Sequence, residues 1–225
     1  MKKLLRIWAS LGCSALIGAA PAPAAELTLP DEPGAFRPPE LVELVRLDST
    51  IRLDVRYATA ANFLGRPVYP EPRVFLQKPA AEAVVRAHRR LLPQGYGLLV
   101  FDGYRPWSVT LLFWNAVSED QRRFVADPAQ GSRHNRGCAV DLSLYRLDTG
   151  EEVAMPSGYD EMNEKAYPDY AGGSAAARAL RDLLRRTMEA EGFRVYPTEW
   201  WHFDHPDWPR YRVLDLPFAQ LPRAE

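Results

Sequence analysis

Four side chains in this sequence are spaced so that they could carry out hydrolysis together: His134, Asp141, Glu199 and His202. His134 and Asp141 lie seven residues apart in Ser132-Arg-His-Asn-Arg-Gly-Cys-Ala-Val-Asp141, with Gly137 between them. A turn at the glycine can feed a strand and bring imidazole and carboxylate to one point. His202, in Glu199-Trp-Trp-His202, would complete the set from a later strand. Two imidazoles and one carboxylate leave one tetrahedral position of a zinc ion open for water, the arrangement of a catalytic rather than a structural site. Glu199 precedes His202 by three. If the chain turns or bulges there, its carboxylate can act as general base on water without occupying the metal. Asp102-Gly-Tyr-Arg-Pro106 lies between a strand-like and a helix-like segment, where Arg105 can stabilise an oxyanion and Asp102 can hold Arg105. Spacing alone leaves a plainer reading open, in which His134 and Asp141 form a hydrogen-bonded surface pair.

The remaining candidates have structural readings. His88 sits among Arg86, Arg89 and Arg90 and reads as a solvated or satisfied helix histidine. His205 follows His202 by three and competes with it as a ligand; the spacing from Glu199 favours His202 and leaves His205 behind a ligand or at the surface. Strand alternation puts Trp200 and Trp201 on opposite faces, at least one of them in the core. Arg133 and Arg136 read as solvated loop charges, and Asp204 and Asp207 as structural.

The elements that must position these groups follow from local pattern. Val42–Leu47 and Ile51–Tyr57 alternate like strands, and 62–72 is loop, broken by Gly65, Pro67, Pro70 and Pro72. Pro79 opens a helix running to about Leu92. Gly97–Phe101 reads as a buried strand. A helix starting at Pro106 has Trp107, Leu111, Trp114 and Val125 as its apolar face. Cys138–Leu144 is a strand, and Ser174 caps a helix whose stripe is Leu180, Leu183, Leu184, Thr187 and Met188, ended by Gly192. Phe193–Tyr196 and Trp200–Phe203 are the last strands. Helices and strands do not alternate strictly. The expected fold is therefore α+β, a single domain with a central, mainly antiparallel sheet flanked by helices and the zinc site at the sheet.

The 225 residues suit one domain with a sizeable core. Its ends differ from its middle. Lys2, Lys3 and Arg6 precede the apolar run 7–20, and Ala22-Pro-Ala24 offers a small-residue cleavage site, the order of a secretory signal over residues 1–24. The run is short for a membrane span, which needs about 20 apolar residues. Residues 25–39 read as an extended proline-rich arm and 40–225 as the catalytic domain. Export to the periplasm or medium is expected, without membrane insertion and without lipid at Cys13, whose preceding leucine is one place late. Removing the signal takes three of the 28 basic residues and none of the 29 acidic ones, leaving a chain near −4. That chain has no basic tract for nucleic acid, and its one cysteine, Cys138, cannot form an internal disulfide.

Ser132-x-His134-x-x-Gly137-x-Ala139-x-Asp141 with Glu199-x-x-His202 resembles the zinc peptidases grouped with lysostaphin-type enzymes and hedgehog-like domains. More closely, the chain resembles the D-alanyl-D-alanine dipeptidases, through Asp54-Val-Arg-Tyr57-Ala-Thr, Asn62-Phe63-x-Gly65, Leu76-Gln-Lys-Pro79, Asp102-Gly-Tyr-Arg-Pro106, Asp160-Glu-Met and Glu199-Trp-Trp-His-Phe203. The likeness runs from about residue 40 to 215. It implies one Zn2+ per chain on His134, Asp141 and His202, Glu199 as base and Arg105 at the scissile carbonyl. Ser132 and Asp160 would contact the two ends of a D-Ala-D-Ala dipeptide, Asp160 pairing with its ammonium. The relatives that act as D,D-carboxypeptidases usually have proline after the glutamate, where this chain has Trp200. A hedgehog-like zinc domain without catalysis would need neither Glu199 nor Arg105.

Overall fold

The computed structural model describes residues 27–221, so the expected signal segment and Cys13 lie outside the described residues. Seven strands and four α-helices follow in the order β1 (Leu41–Glu43), α1 (Leu44–Leu47), β2 (Arg52–Leu53), β3 (Phe75–Gln77), α2 (Lys78–Leu91), β4 (Tyr96–Asp102), α3 (Trp107–Ala116), β5 (Ala139–Arg146), α4 (Ala175–Ala190), β6 (Arg194–Tyr196) and β7 (Glu199–Asp204). Five strands form the central sheet in the order β2-β4-β5-β7-β6. Only the β2–β4 pair is parallel; β4–β5, β5–β7 and β6–β7 are antiparallel. The expected α+β architecture is the observed one. No described helix is long and apolar enough to cross a membrane.

The core follows from the apolar pattern. Leu98, Val100, Leu142, Leu144 and Phe203 of the central strands are fully buried. Helices α2 and α4 pack on each other and on the sheet. In α2 the small residues Ala80, Ala81, Ala83 and Ala87 allow close approach, and all four are buried. Ser174 caps α4 as expected, its hydroxyl accepting from the Ala177 amide at 3.0 Å.

Three local expectations are corrected. The strand expected over Val42–Leu47 stops at Glu43: the Leu44 amide still bonds the Val74 carbonyl, the rung after Glu43 and Phe75, and the chain then coils into α1, where the Asp48 amide returns to the Leu44 carbonyl. The partner of β1 is β3, which local pattern did not suggest; its three buried residues pair antiparallel with β1. The second expected strand, Ile51–Tyr57, shrinks to Arg52–Leu53 before a 3-10 turn at Arg56–Ala58, which buries Tyr57. Helix α3 ends at Ala116, short of Val125. Ser118 starts a separate 3-10 helix, Glu119–Phe124, through a reciprocal capping box with Gln121. Its buried stripe is Trp107, Thr110 and Phe113, while Leu111 and Trp114 are only half-buried.

The described part of the arm is not detached. Glu32 pairs with the Arg136 guanidinium and accepts the Val213 amide at 2.7 Å, and the Arg37 amide donates to the Arg210 carbonyl at 2.8 Å.

Candidate metal centre and active site

Three neighbouring strands bring the key carboxylates and one imidazole into a row. Asp141 on β5 sits opposite His202 on β7 and opposite Asp102 on β4. Along β5, alternation sends Val140, Leu142 and Leu144 one way and Asp141 the other. His134 enters from a 3-10 turn, His134–Arg136, that ends at Gly137 with φ +67°. The dihedral favours glycine, and a Cβ at Gly137 would come within 2.6 Å of Leu41 Cδ2, so a side chain there would also have to displace Leu41. Asn135 anchors this turn from below. Its amide nitrogen donates to the Arg105 carbonyl at 2.9 Å and to Thr110 of α3 at 2.8 Å, and its oxygen accepts the Ser132 amide at 2.7 Å.

One atom from each of His134, Asp141 and His202 lies within 4.8 Å of the others, and all three residues are buried. Asp141 Oδ1 is 3.3 Å from His134 Nε2 and 3.0 Å from His202 Nδ1. The far ring nitrogens are occupied: His134 Nδ1 lies 2.7 Å from the Gly103 carbonyl oxygen, and His202 Nε2 lies 3.0 Å from Asp204 Oδ1. An N–H must stand at each of those nitrogens, because both partners are acceptors. With both rings neutral, as metal ligands must be, the inner nitrogens, 3.0 Å apart, present lone pairs to each other and to the buried Asp141 Oδ1. Three converging acceptors in a buried site call for a cation, and two imidazoles with one carboxylate suit zinc. The residues fit the metal.

The electrostatics agree. Burial opposes charge on His202, yet Asp204 and Asp141 outweigh it and hold the imidazolium up, to about 10. Burial also works against Asp141 as an anion, but His134 and His202 keep its carboxyl well below the usual range. Both directions express the same pairing of carboxylate with imidazolium.

Glu199 reaches the same cavity through an irregularity in the β6–β7 pairing. The register shifts between Val195 and Tyr196, so Tyr196 pairs with Glu199 across a tight turn. Glu199 Oε2 lies 3.7 Å from His202 Nδ1, and burial pushes its carboxyl up to about 8. Arg105 is buried and held by Asp102, whose Oδ2 accepts from Nε at 3.0 Å and Nη2 at 2.8 Å; Nη2 is also 3.7 Å from Asp141 Oδ2. Asp160 adopts φ +60°, a left-handed conformation that aspartate tolerates better than most residues. There it accepts the Tyr57 hydroxyl at 2.8 Å, and burial lifts its carboxyl to about 7. Arg105, Ser132, His134, Asp141, Asp160, Glu199 and His202 all line one cavity of about 340 Å³, near the small end of ligand sites, about 300–1,000 Å³. All seven residues singled out from the sequence meet at one place.

A family model described as D-ala-D-ala dipeptidase matches residues 37–222. The D-alanyl-D-alanine dipeptidase of Enterococcus faecalis is 38% identical over 186 residues, covering 75% of this chain and 88% of the relative. Those of Escherichia coli (34% over 180 residues, 80% and 92% covered) and Streptomyces coelicolor (39% over 196 residues, 77% and 95% covered) are similarly close. This chain belongs to the D-ala-D-ala dipeptidase family. It is a peptidase, and the cavity described above is its candidate active site.

Other residues bear out some of their sequence readings and correct others. His205 is buried away from the triad, its ring against Phe193 and its Nδ1 accepting the Asp207 amide at 3.3 Å. His88 is fully buried and satisfied: Nδ1 accepts the Leu98 amide at 3.0 Å, and Nε2 lies 2.9 Å from the Thr50 hydroxyl oxygen. Trp200 is core, donating to Ser157 at 2.9 Å, and Trp201 is a cavity wall. Arg136 is not a solvated loop charge; it is buried, donating to the Tyr211 carbonyl at 2.6 Å and pairing with Glu32. Arg133 is half-buried and pairs with Asp204 at 3.3 Å.

Sequence reading gave no role at the site to Tyr159, whose hydroxyl donates to Asp141 Oδ2 at 3.1 Å, or to the Gly103 carbonyl behind His134. No spacing rule marks either contact, because each depends on where a loop crosses the strands.

Proposed function

We propose that this peptidase hydrolyses the free D-alanyl-D-alanine dipeptide to two D-alanines, with one zinc ion held by His134, Asp141 and His202. The observation that carries the reading is the small cavity whose wall combines the acceptor triad, Glu199, Arg105 and Asp160. The names of the relatives support the substrate.

When bound, zinc supplies Lewis-acid chemistry: it acidifies water and polarises a carbonyl oxygen. The chain's own groups do the rest. Asp160, with Tyr57 at its oxygen, receives the dipeptide's ammonium and sets one end, while Ser132 contacts the other. Arg105, immobilised by Asp102, faces the scissile carbonyl and stabilises the negative charge that grows on its oxygen. Glu199 takes a proton from the attacking water and returns one to the leaving amine. A carboxyl raised by burial toward neutral pH is suited to both transfers. No covalent intermediate on the protein is needed. Cys138 is buried and its thiol is pushed up to about 12, unsuited to a nucleophile.

The N-terminal pattern supports export of the mature chain, with residues 1–24 removed, residues 25–39 as an arm and the rest as one catalytic domain. Its substrate would then come from peptidoglycan precursor or fragment metabolism outside the cytoplasm. The deciding experiment is D-alanine release from D-Ala-D-Ala by the purified mature protein, with and without chelator, beside an N-acylated pentapeptide stem. Chelator-sensitive, zinc-restored cleavage of the dipeptide alone is expected. Cleavage of the stem instead would make it a D,D-carboxypeptidase, and cleavage of neither would leave a non-catalytic zinc domain.

A further inference from the structure

The acceptor that fixes His202 is a charged side chain, and that side chain is itself held. Asp204 Oδ1 lies 3.0 Å from His202 Nε2, while its second oxygen, Oδ2, lies 3.3 Å from Arg133 Nη1. Arg133 adjoins His134 in sequence, and its guanidinium lies over the Trp208 ring at 4.9 Å and the Tyr196 ring at 5.8 Å. Tyr196 in turn packs against the His202 imidazole with ring centroids 5.1 Å apart. His134, by contrast, is oriented by a backbone carbonyl, which carries no charge and cannot be mutated away.

We propose that Asp204 and Arg133 form a latch that positions His202 for metal binding: Asp204 selects the ring tautomer that leaves Nδ1 unprotonated, and Arg133 holds Asp204 in place. The inference rests on the zinc reading of the triad. A carboxylate behind a ligating histidine fixes the ring and raises its basicity, and removing such a partner typically weakens metal affinity by about 10–100-fold. Strand alternation supplies the proximity: Asp204 and His202 are two apart on β7 and share a face, where the Asp204 carboxylate meets the ring nitrogen that points away from Asp141. Arg133 crosses from the turn carrying His134 to the strand carrying His202, and it thereby links two ligands that are far apart in sequence. Arg133 and Asp204 are positioning residues: neither is required to touch substrate.

The test uses the mature chain, zinc as the only ligand, and competition with a chromophoric chelator. Asp204→Leu is expected to weaken zinc binding by about 10–100-fold. Asp204→Asn, which keeps an oxygen acceptor for the His202 N–H, is expected to recover part of that loss. Arg133→Met is expected to weaken zinc binding in the wild-type background but to add little to Asp204→Leu, since interacting groups are not additive. The melting temperature of the metal-free protein should stay near wild type in all three, which separates a latch from a fold defect. Unchanged zinc affinity in Asp204→Leu would overturn the proposal. So would an Arg133→Met variant with wild-type zinc affinity and a raised KM, because Arg133 would then be a substrate contact. Failure of the wild-type chain to bind zinc would overturn the metal reading itself, and the latch with it.

Discussion

At the scale of single residues, the site combines groups whose protonation is set by burial with others set by partners. Glu199 and Asp160 are raised by burial, whereas Asp141 is lowered by two imidazoles despite its burial. Glu199→Gln should therefore keep the triad and its zinc while losing the proton acceptor. Turnover is expected to fall by about 10²–10⁴-fold, with metal content by atomic absorption unchanged. Normal turnover in that variant would remove Glu199 as the base. Arg105→Lys keeps a charge but loses the fork that Asp102 grips through Nε and Nη2. Its kcat should drop by about 10²–10³-fold, the scale of a lost oxyanion donor, with a smaller change in KM. The roles of these positions were legible in the sequence through the family resemblance, whereas their spacing alone left a hydrogen-bonded surface pair open. The grip on Arg105 was anticipated from Asp102 three residues away. The reach of Tyr159 to Asp141 was not, since it joins a loop to a strand 18 residues apart.

At the scale of elements, the site depends on short, irregular pieces rather than on the long helices. The turn carrying His134 ends in a left-handed glycine pressed against β1 and β3, with the Gln77 amide donating to the Gly137 carbonyl at 2.8 Å. Gly137→Ala should cost about 1–3 kcal/mol in chemical denaturation, from backbone strain and the clash with Leu41, and should lower zinc occupancy as His134 shifts. Helix α4 and strands β4, β5 and β7 were readable from apolar periodicity and a serine cap. The short strands β1 and β3 were misread or missed because three residues carry too little pattern, and their pairing partner is more than thirty residues away. The arm behaves similarly. Composition suggested an extended segment, yet Glu32 closes an ion pair on buried Arg136. Glu32→Ala leaves that guanidinium short of an acceptor, and about 1–3 kcal/mol of stability should be lost in urea titration.

At the scale of the whole molecule, stability is linked to ligand and to pH. Zinc at 100 times its dissociation constant should stabilise the fold by about 2.7 kcal/mol, visible as a chelator-reversible rise in melting temperature. A second linkage runs through His88, on α2 against β4. Burial lowers its pKa, Asp48 opposing and Arg89 adding to that effect. The folded chain keeps the ring neutral, with Nδ1 accepting the Leu98 amide. Since the unfolded ring binds its proton near 6.5, this contribution is complete above that pH and declines as pH falls through 6.5 toward the lower folded value. Urea midpoints at pH 7.5 and 5.5 should diverge more for wild type than for His88→Leu, and equal divergence would remove His88 as a source of acid sensitivity.

Residue types and spacings, with the family resemblance of their motifs, determined that this chain has the parts of a metallopeptidase on an α+β sheet, because ligand chemistry and hydrophobic period are local properties. Only the tertiary structure decided how those parts are aimed. The row Asp102–Asp141–His202 arises from strand order, and the choice of inner ring nitrogens arises from Gly103 and Asp204 standing behind the histidines. Apart from the Asp204–His202 pair, those contacts join segments separated by tens of residues. Their geometry is set by packing and ladder register, which no short stretch of sequence encodes.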